Sequence, residues 1–404
     1  HLSSLRPFSW GSRVADPKHQ ISLIISPMDG YWEQFKAPFL CFAGFSGVGK
    51  TTLIERLATR FQEEQLRVGY YKHDSHRFKM DKAGKDTARV RDAGAGIVAI
   101  NDPAHFGVVA ENEFKQRTIT HALEQCDCIL IEGYKQSPFN KVVFLDGKGK
   151  LPIAPDSPGI RAIVHQGTAA PERFVEQGIP LFHRDEIDKI FDFVNAHFKS
   201  CASPLYGAVF VGGQSRRMGQ PKFALTYNGI SETERAVGIL GRFCEKVFLS
   251  ARADLDMGEL GNIKDAERID DEHIRLGPVG GLATVMSRYP DKAWMITACD
   301  MPLIQKKDFE IILEQRDPLR YGTCYAQKGR LGYEPMCAIY EPKFITPLYE
   351  AMSRRELSLS RIIGDLPFKE VRIPEGDRAN FMNINTPEDY EAARTKRERE
   401  IEPT

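Results

Sequence analysis

Across 404 residues, 55 Lys and Arg balance 55 Asp and Glu, so no global charge draws the chain to nucleic acid or to an anionic membrane. No apolar run approaches the ~20 residues that span a bilayer, and the eight cysteines lack zinc-ligand spacing, with Cys126 and Cys128 one residue apart and the rest scattered. The length exceeds the ~100–200 residues of an ordinary domain, several cysteines (Cys41, Cys128, Cys299) sit in apolar runs, and the expectation is a reduced, cytoplasmic protein of two domains.

The chain starts at His1 rather than Met, as a truncated or engineered terminus would, and residues 1–37 carry no recognisable signal peptide and no motif with a role. Phe39 to Ala43 then reads as a strand, Gly44-Phe-Ser-Gly-Val-Gly-Lys-Thr-Thr52 as a phosphate loop, and Leu53 to Phe61 as a helix. Each part has a task. Backbone N–H groups around Gly44, Gly47 and Gly49 cradle phosphate oxygens, Lys50 neutralises the outer ones, the Thr51 hydroxyl reaches Mg²⁺, and Thr52 continues the helix start.

The polar stretch Tyr70 to Arg77 follows. Its His73 and His76 lack the i, i+4 spacing of a helical zinc pair, so it reads as a loop beside the nucleotide. Asp127-Cys-Ile-Leu-Ile-Glu-Gly133 is an apolar strand flanked by acids. Such a strand can end in a carboxylate that holds magnesium or its water, here Glu132, or it can be an ordinary core strand with solvated flanks. Asn140-Lys141 is followed by two valines rather than the acid of a guanine-reading motif. Strand-like and helix-like segments alternate to the amphipathic stretch Ile187 to Phe198, and the small, turn-prone Ser200-Cys-Ala-Ser-Pro204 suits a linker.

A second phosphate loop opens the next unit. The apolar strand Gly207 to Val211 empties into Gly212-Gly-Gln-Ser-Arg-Arg-Met-Gly-Gln-Pro-Lys222. Its glycines permit close backbone approach, and Arg216, Arg217 and Lys222 supply positive charge. It is not a Walker loop; the alternative is a basic strand-to-helix turn. Beyond it lie a strand-like run closed by Ser250, the pair Asp270-Asp271, and the glycine segment Gly277 to Gly281. In Ala293-Trp-Met-Ile-Thr-Ala-Cys-Asp-Met-Pro302 a buried strand delivers Asp300 at its C-terminal end, where α/β folds place ligands. Asn383-Ile-Asn-Thr-Pro-Glu-Asp389 follows, and Pro387 to Arg399 reads as a solvated helix that frays beyond Arg397.

The order of the first loop, Gly69 to His76, Asp81, Gly84-Lys-Asp-Thr87, Arg89, Ala93-Gly-Ala95 and Ile131-Glu-Gly-Tyr-Lys135 resembles the GTP-binding adapter family of molybdopterin-guanine dinucleotide biosynthesis, over about residues 38–198. Asp74 and Ser75 stand where that family carries a richer histidine run. The second loop resembles the Gly-Gly-x-Ser-x-Arg-Met-Gly-x-x-Lys signature of nucleotidyltransferases. With the segments after it, the stretch over about residues 204–393 is similar to molybdenum cofactor guanylyltransferase.

These resemblances imply an α/β protein: a P-loop NTPase-type domain at 38–199, then a Rossmann-like nucleotidyltransferase domain at 204–393, with a charged tail at 394–404. They imply GMP transfer from GTP to molybdopterin or its molybdenum form, with pyrophosphate released, and a GTP-binding adapter attached that is at most a weak GTPase. Arg217, Lys222 and Asp300 would carry the charge of the reaction. Gly212, Gly213, Ser215, Lys222, Ser250, Asp271 and Asp300 would hold GTP, with Asp270 competing for the place of Asp271. Mg²⁺ would sit on Asp300 and, in the first unit, on Thr51; Asn383 or Asn385 would face the pterin. Gly44, Gly47, Gly49, Lys50, Thr51, Thr52 and Glu132 would bind GTP in the first unit. Molybdopterin-delivery proteins and recipient molybdoenzymes are the implied partners, with no nucleic acid and no membrane. Another nucleotidyltransferase, using CTP or a sugar phosphate, and a P-loop kinase or carrier in the first half remain as alternatives.

Overall fold

The computed structural model describes residues 37–73, 86–103, 105–110, 119, 122–123, 125–167, 172–212, 221–227, 229–258, 263–273, 275–326 and 332–401. In the first half the strands are β1 (Phe39–Ala43), β2 (Val68–Lys72), β3 (Ile97–Asn101), β4 (Phe106–Ala110), β5 (Cys128–Glu132), β6 (Lys141–Phe144), β7 (Ile160–His165) and β8 (Leu181–His183). Six of them form one sheet in the order β2-β5-β1-β6-β7-β8, every neighbouring pair parallel. Among the described residues β3 and β4 pair with each other, as a hairpin apart from that sheet.

Parallel strands covered on both faces read as unbroken apolar runs. β5 is buried at all of its residues, and β6 likewise. Helix Lys50–Glu63 turns Leu53, Ile54, Leu57 and Phe61 inward, and helix Ile187–Ser200 turns in Ile190, Phe191, Val194 and Phe198. This is the spacing of one helical face. The two faces interlock where the Phe61 ring lies 4.7 Å from Phe191 and 5.7 Å from Phe198.

The second half supplies β9 (Leu205–Phe210), β10 (Thr226–Tyr227), β11 (Ile230–Ser231), β12 (Val247–Ala251), β13 (Glu267–Asp270), β14 (Ala293–Ala298), β15 (Gly322–Ala326), β16 (Tyr333–Tyr340) and β17 (Lys369–Arg372). Its main sheet runs β13-β12-β9-β14-β16-β15-β17. β16 runs antiparallel to both of its neighbours, and the other pairings are parallel. Tyr206, Phe248, Tyr289 and Trp294 form an aromatic knot at the base of this core, with centroids 5.2 to 6.1 Å apart.

Two consequences position the sites. The phosphate loop after β1 leaves the C-terminal edge of the first sheet, and the glycine loop after β9 leaves the C-terminal edge of the second. Helix Pro387–Ile401 is anchored at Arg397, which lies 5.0 Å over the Tyr227 ring and reaches Glu232 at 3.3 Å.

Candidate functional site

At the first edge Gly49 caps helix Lys50–Glu63 in the left-handed region, with φ 90°, a conformation that favours glycine. It points the N–H groups of the first turn at whatever occupies the loop. Lys50 Nζ donates to the Phe45 carbonyl at 2.8 Å and stands 3.8 Å from Glu132 Oε1. Glu132 Oε2 accepts from the Thr51 hydroxyl at 2.9 Å and from the Tyr70 hydroxyl at 3.0 Å. Burial lowers the Lys50 pKa, while the Glu132 charge opposes that shift. Burial, then the bond to Glu132, pushes the Tyr70 phenol up to about 12. Gly44 and Gly47 complete the loop, and Thr52 follows as an exposed helix-start residue.

The acids that flank β5 therefore part company. Glu132 joins the phosphate edge, whereas Asp127 lies at the opposite edge, buried against Arg67 and Lys343. Lys141 is buried, its ammonium donating to the carbonyls of Ser137 and Lys135. Asn140 accepts from Arg161 at 2.8 Å, so both residues serve the core and its surroundings. His73 stacks on Tyr134 at 4.4 Å between centroids; His76, Asp81 and Gly84 lie outside the described residues.

Two residues at this edge went unnoticed in the sequence. Arg184, just past β8, places its guanidinium 3.6 Å from where a Cβ on Gly49 would sit, and its backbone N–H donates to His165 O at 2.9 Å. Gln166 donates to the Val48 carbonyl at 2.9 Å. No local motif marks either residue; both reach the loop because parallel strands deliver their ends to one edge.

At the second edge Lys222 is the hub. Its ammonium donates to Asp300 Oδ2 at 3.1 Å and to Asn385 Oδ1 at 2.8 Å. Ile384 N–H donates to the Asp300 carbonyl at 2.8 Å, which ties the Asn383–Asn385 segment to the strand-end acid. Asn385 Nδ2 turns back to Asn383 O at 3.4 Å. Ser250 Oγ donates to Asp271 Oδ1 at 2.6 Å. Burial raises the Asp271 pKa, and the Ser250 hydrogen bond opposes this. Asp270 instead pairs with Arg268 at 2.8 Å, so Asp271 is the acid that turns to Ser250. A Cβ on Gly281 would come within 2.9 Å of Ser250 Oγ, so a bare backbone is needed there. Gly212 begins the loop; Gly213, Ser215, Arg216 and Arg217 lie outside the described residues.

Behind Asp300 stands a buried brace. Glu232, 1% exposed, pairs with Arg235 at 2.5 Å and with Arg397 at 3.3 Å. Arg235 donates to the carbonyls of Ile304 (2.8 Å) and Met301 (3.3 Å), the turn that follows the acid. Burial raises the Glu232 pKa against the pull of Arg235. The i, i+3 pair at the start of helix Glu232–Leu240 was the available signal, and it reads as an ordinary surface pair until its burial is known.

Family models divide the chain at the same place. That of molybdopterin guanine dinucleotide synthesis protein B matches residues 39–166, and that of the MobA-like NTP transferase domain matches residues 207–370. The "Probable molybdopterin-guanine dinucleotide biosynthesis adapter protein" of Bacillus subtilis is 33% identical over 167 residues, 40% of this chain and 94% of the relative. The "Probable molybdenum cofactor guanylyltransferase" of Opitutus terrae is 30% identical over 203 residues, 48% of this chain and 97% of the relative. The chain belongs to both families. A molybdenum cofactor biosynthesis bifunctional protein of Synechocystis is 31% identical over 189 residues, which take in 46% of this chain and 53% of that protein. The N-terminal half thus falls among the adapters of molybdenum cofactor biosynthesis, and the C-terminal half among its nucleotidyltransferases. Among the described residues no helix is long and apolar enough to cross a membrane.

Proposed function

We propose that the C-terminal half transfers GMP from GTP to molybdopterin or Mo-molybdopterin, and that the N-terminal half is its GTP-binding adapter. The observation that carries this reading is the clasp of Lys222 between Asp300 and Asn385 at the mouth of the glycine loop. A terminal phosphate oxygen of the pterin attacks the α-phosphorus of GTP. The bond from that phosphorus to the bridging oxygen of the β-phosphate breaks, and pyrophosphate leaves with the electron pair. Positioning and charge neutralisation supply most of the rate in such transfers. Lys222 neutralises phosphate oxygens as the leaving group forms, and Gly212, Gly213 and Ser215 offer the backbone cradle. Arg217 adds charge from the same loop, Ser250 and Asp271 hold the nucleoside side, and Asn383 and Asn385 meet the pterin.

Asp300 fits a magnesium ligand. Mg²⁺ takes one or two protein carboxylates and completes its shell with phosphate oxygens and water, and the Lys222 ammonium against Asp300 Oδ2 marks that carboxylate as one that draws cations to the mouth. Bound there, the ion would offset triphosphate charge. Thr51 with Glu132 would hold its counterpart in the first half, where Gly44, Gly47, Gly49, Lys50 and Thr52 surround the phosphates.

We take 38–199 and 204–393 as the functional units. Proteins that supply molybdopterin and molybdoenzymes that receive the product belong to the proposal. So does a cytoplasmic setting, supported by eight unpaired cysteines. The test is pyrophosphate release by purified protein with GTP, ATP or CTP, with and without molybdopterin. Release only with GTP plus molybdopterin is expected; release with CTP, or without the pterin, overturns the assignment.

A further inference from the structure

The two halves meet through a charge cluster that neither proposed nucleotide site uses. Asp127, 3% exposed at the start of β5, accepts from Arg67 Nη2 at 3.1 Å and from the Arg67 backbone N–H at 2.7 Å. It also accepts from Lys343 Nζ of the other half at 2.6 Å. Both cations face one ring of the second half: Arg67 lies 5.3 Å and Lys343 5.1 Å from the centroid of Tyr321. Arg67 also donates to the Tyr321 hydroxyl at 2.8 Å. Beside them Leu319, 1% exposed, belongs to the apolar cluster of the first half with Phe61, Leu66, Cys128 and Phe198. Arg320 donates to the Glu64 carbonyl at 2.8 Å, and Lys199 faces Asp317 at 3.6 Å.

Strand direction places these contacts. Arg67 and Asp127 precede β2 and β5, and Glu64 and Lys199 lie at the far ends of helices that run back from the C-terminal edge. All four therefore sit at the N-terminal edge of the first sheet, away from the phosphate loop. In the second half Asp317, Leu319, Arg320 and Tyr321 precede β15, while Lys343 follows the antiparallel β16. They sit at the N-terminal edge of that sheet, away from Lys222 and Asp300. The Arg67, Asp127 and Lys343 groups satisfy one another, and Leu319 adds apolar burial across the seam, the combination of a built interface rather than a chance touch.

We propose that the two halves form one docked unit, back to back, with their nucleotide edges facing away from each other. The surface around Arg67, Asp127 and Cys128 is then a docking site for the 317–321 turn and Lys343 of the same chain. Nucleotide held by the adapter half does not reach the transferase edge of its own chain, and each outward edge is open to another molecule.

The cut-chain and exchange tests need no nucleotide, so they stand apart from the assignment of the reaction; only the last measurement rests on it. A protease site is inserted between Cys201 and Ala202 of the full chain, and the cut protein is run by size exclusion at low micromolar concentration. Co-elution of both pieces at the size of the uncut chain is expected, and elution as two separate halves overturns the proposal. The cut Leu319→Asp, Lys343→Met double variant should separate; its co-elution would overturn the assigned seam. Hydrogen exchange on the uncut natural chain gives an independent reading. Segments 64–68 and 317–321 should both be protected, and Leu319→Asp should release both together; fast exchange of both in the natural chain overturns docking. Uncut Leu319→Asp should keep pyrophosphate release within twofold, because that residue lies on the edge opposite Lys222; a tenfold loss would contradict the separation of the edges.

Discussion

The two nucleotide edges solve the same problem with opposite bookkeeping. In the first, the loop and the helix it starts are one stretch of chain; Thr51 meets Glu132, brought by the neighbouring parallel strand, and Arg184 and Gln166 reach the loop from later strand ends. In the second, the described polar groups come from three distant stretches: Lys222, Asp300 and Asn385 meet across 163 residues. A local loop carries most of its phosphate nest in consecutive residues. A distributed edge depends on every connection that brings its parts together, and can therefore couple chemistry to the placement of the Asn383–Asn385 segment.

The largest test of this contrast is Asp300→Asn. Turnover in pyrophosphate release should fall about 10²–10³-fold while the unfolding temperature barely moves, as expected when charge at a reacting centre is lost. Near-normal turnover would reduce Asp300 to a turn residue. Next comes the pair of loop lysines. Lys222→Ala should cost roughly 10²-fold in transfer and leave GTP binding in the first half intact, and Lys50→Ala should do the reverse. Equal loss of both activities from either change would mean one shared site.

A smaller effect probes the local edge. Arg184→Ala should weaken GTP binding by the first half about tenfold, the scale of one charge-assisted hydrogen bond, with transfer unchanged; titration with labelled GTP reads this directly. The smallest effect concerns Ser250→Ala, which should raise KM for GTP a few-fold, about the net worth of one hydrogen bond. It should also move the acidic limb of the pH profile. The Asp271 pKa is already raised by burial, and the Ser250 bond opposes that rise. Without the hydroxyl the carboxylate takes its proton at higher pH, so activity is lost earlier as pH falls. A limb that moves to lower pH would break the argument.

How much was legible follows from the same contrast. The loop at Gly44 to Thr52 announces itself because its geometry is encoded in consecutive residues, and β1 with helix Lys50–Glu63 followed from apolar spacing. Asp300 was visible as an acid at the end of an apolar run. The choice between Asp270 and Asp271 was not, since alternation along an edge strand alone does not say which side faces Ser250. Arg184 stayed hidden because no motif records which strand ends share an edge. Glu132 was legible as the acid at the C-terminal end of an apolar run, whereas the pairing of Asp127 with Arg67 and Lys343 was not, because no local pattern records a contact with a residue 216 positions away.

The brace under Asp300 extends this dependence to the last helix. Arg397 stands three residues past Arg394 in a helix whose sequence looks like solvated filler, yet its guanidinium is the second cation, beside Arg235, that faces Glu232, a carboxylate sealed from water. With that partner gone, Arg235 would be drawn more fully to Glu232 and away from the carbonyls of Met301 and Ile304 that it now holds. The helix Pro387–Ile401 thereby bears on the transferase mouth: a substitution that disturbs the turn carrying Arg397 would be felt at the strand-end acid.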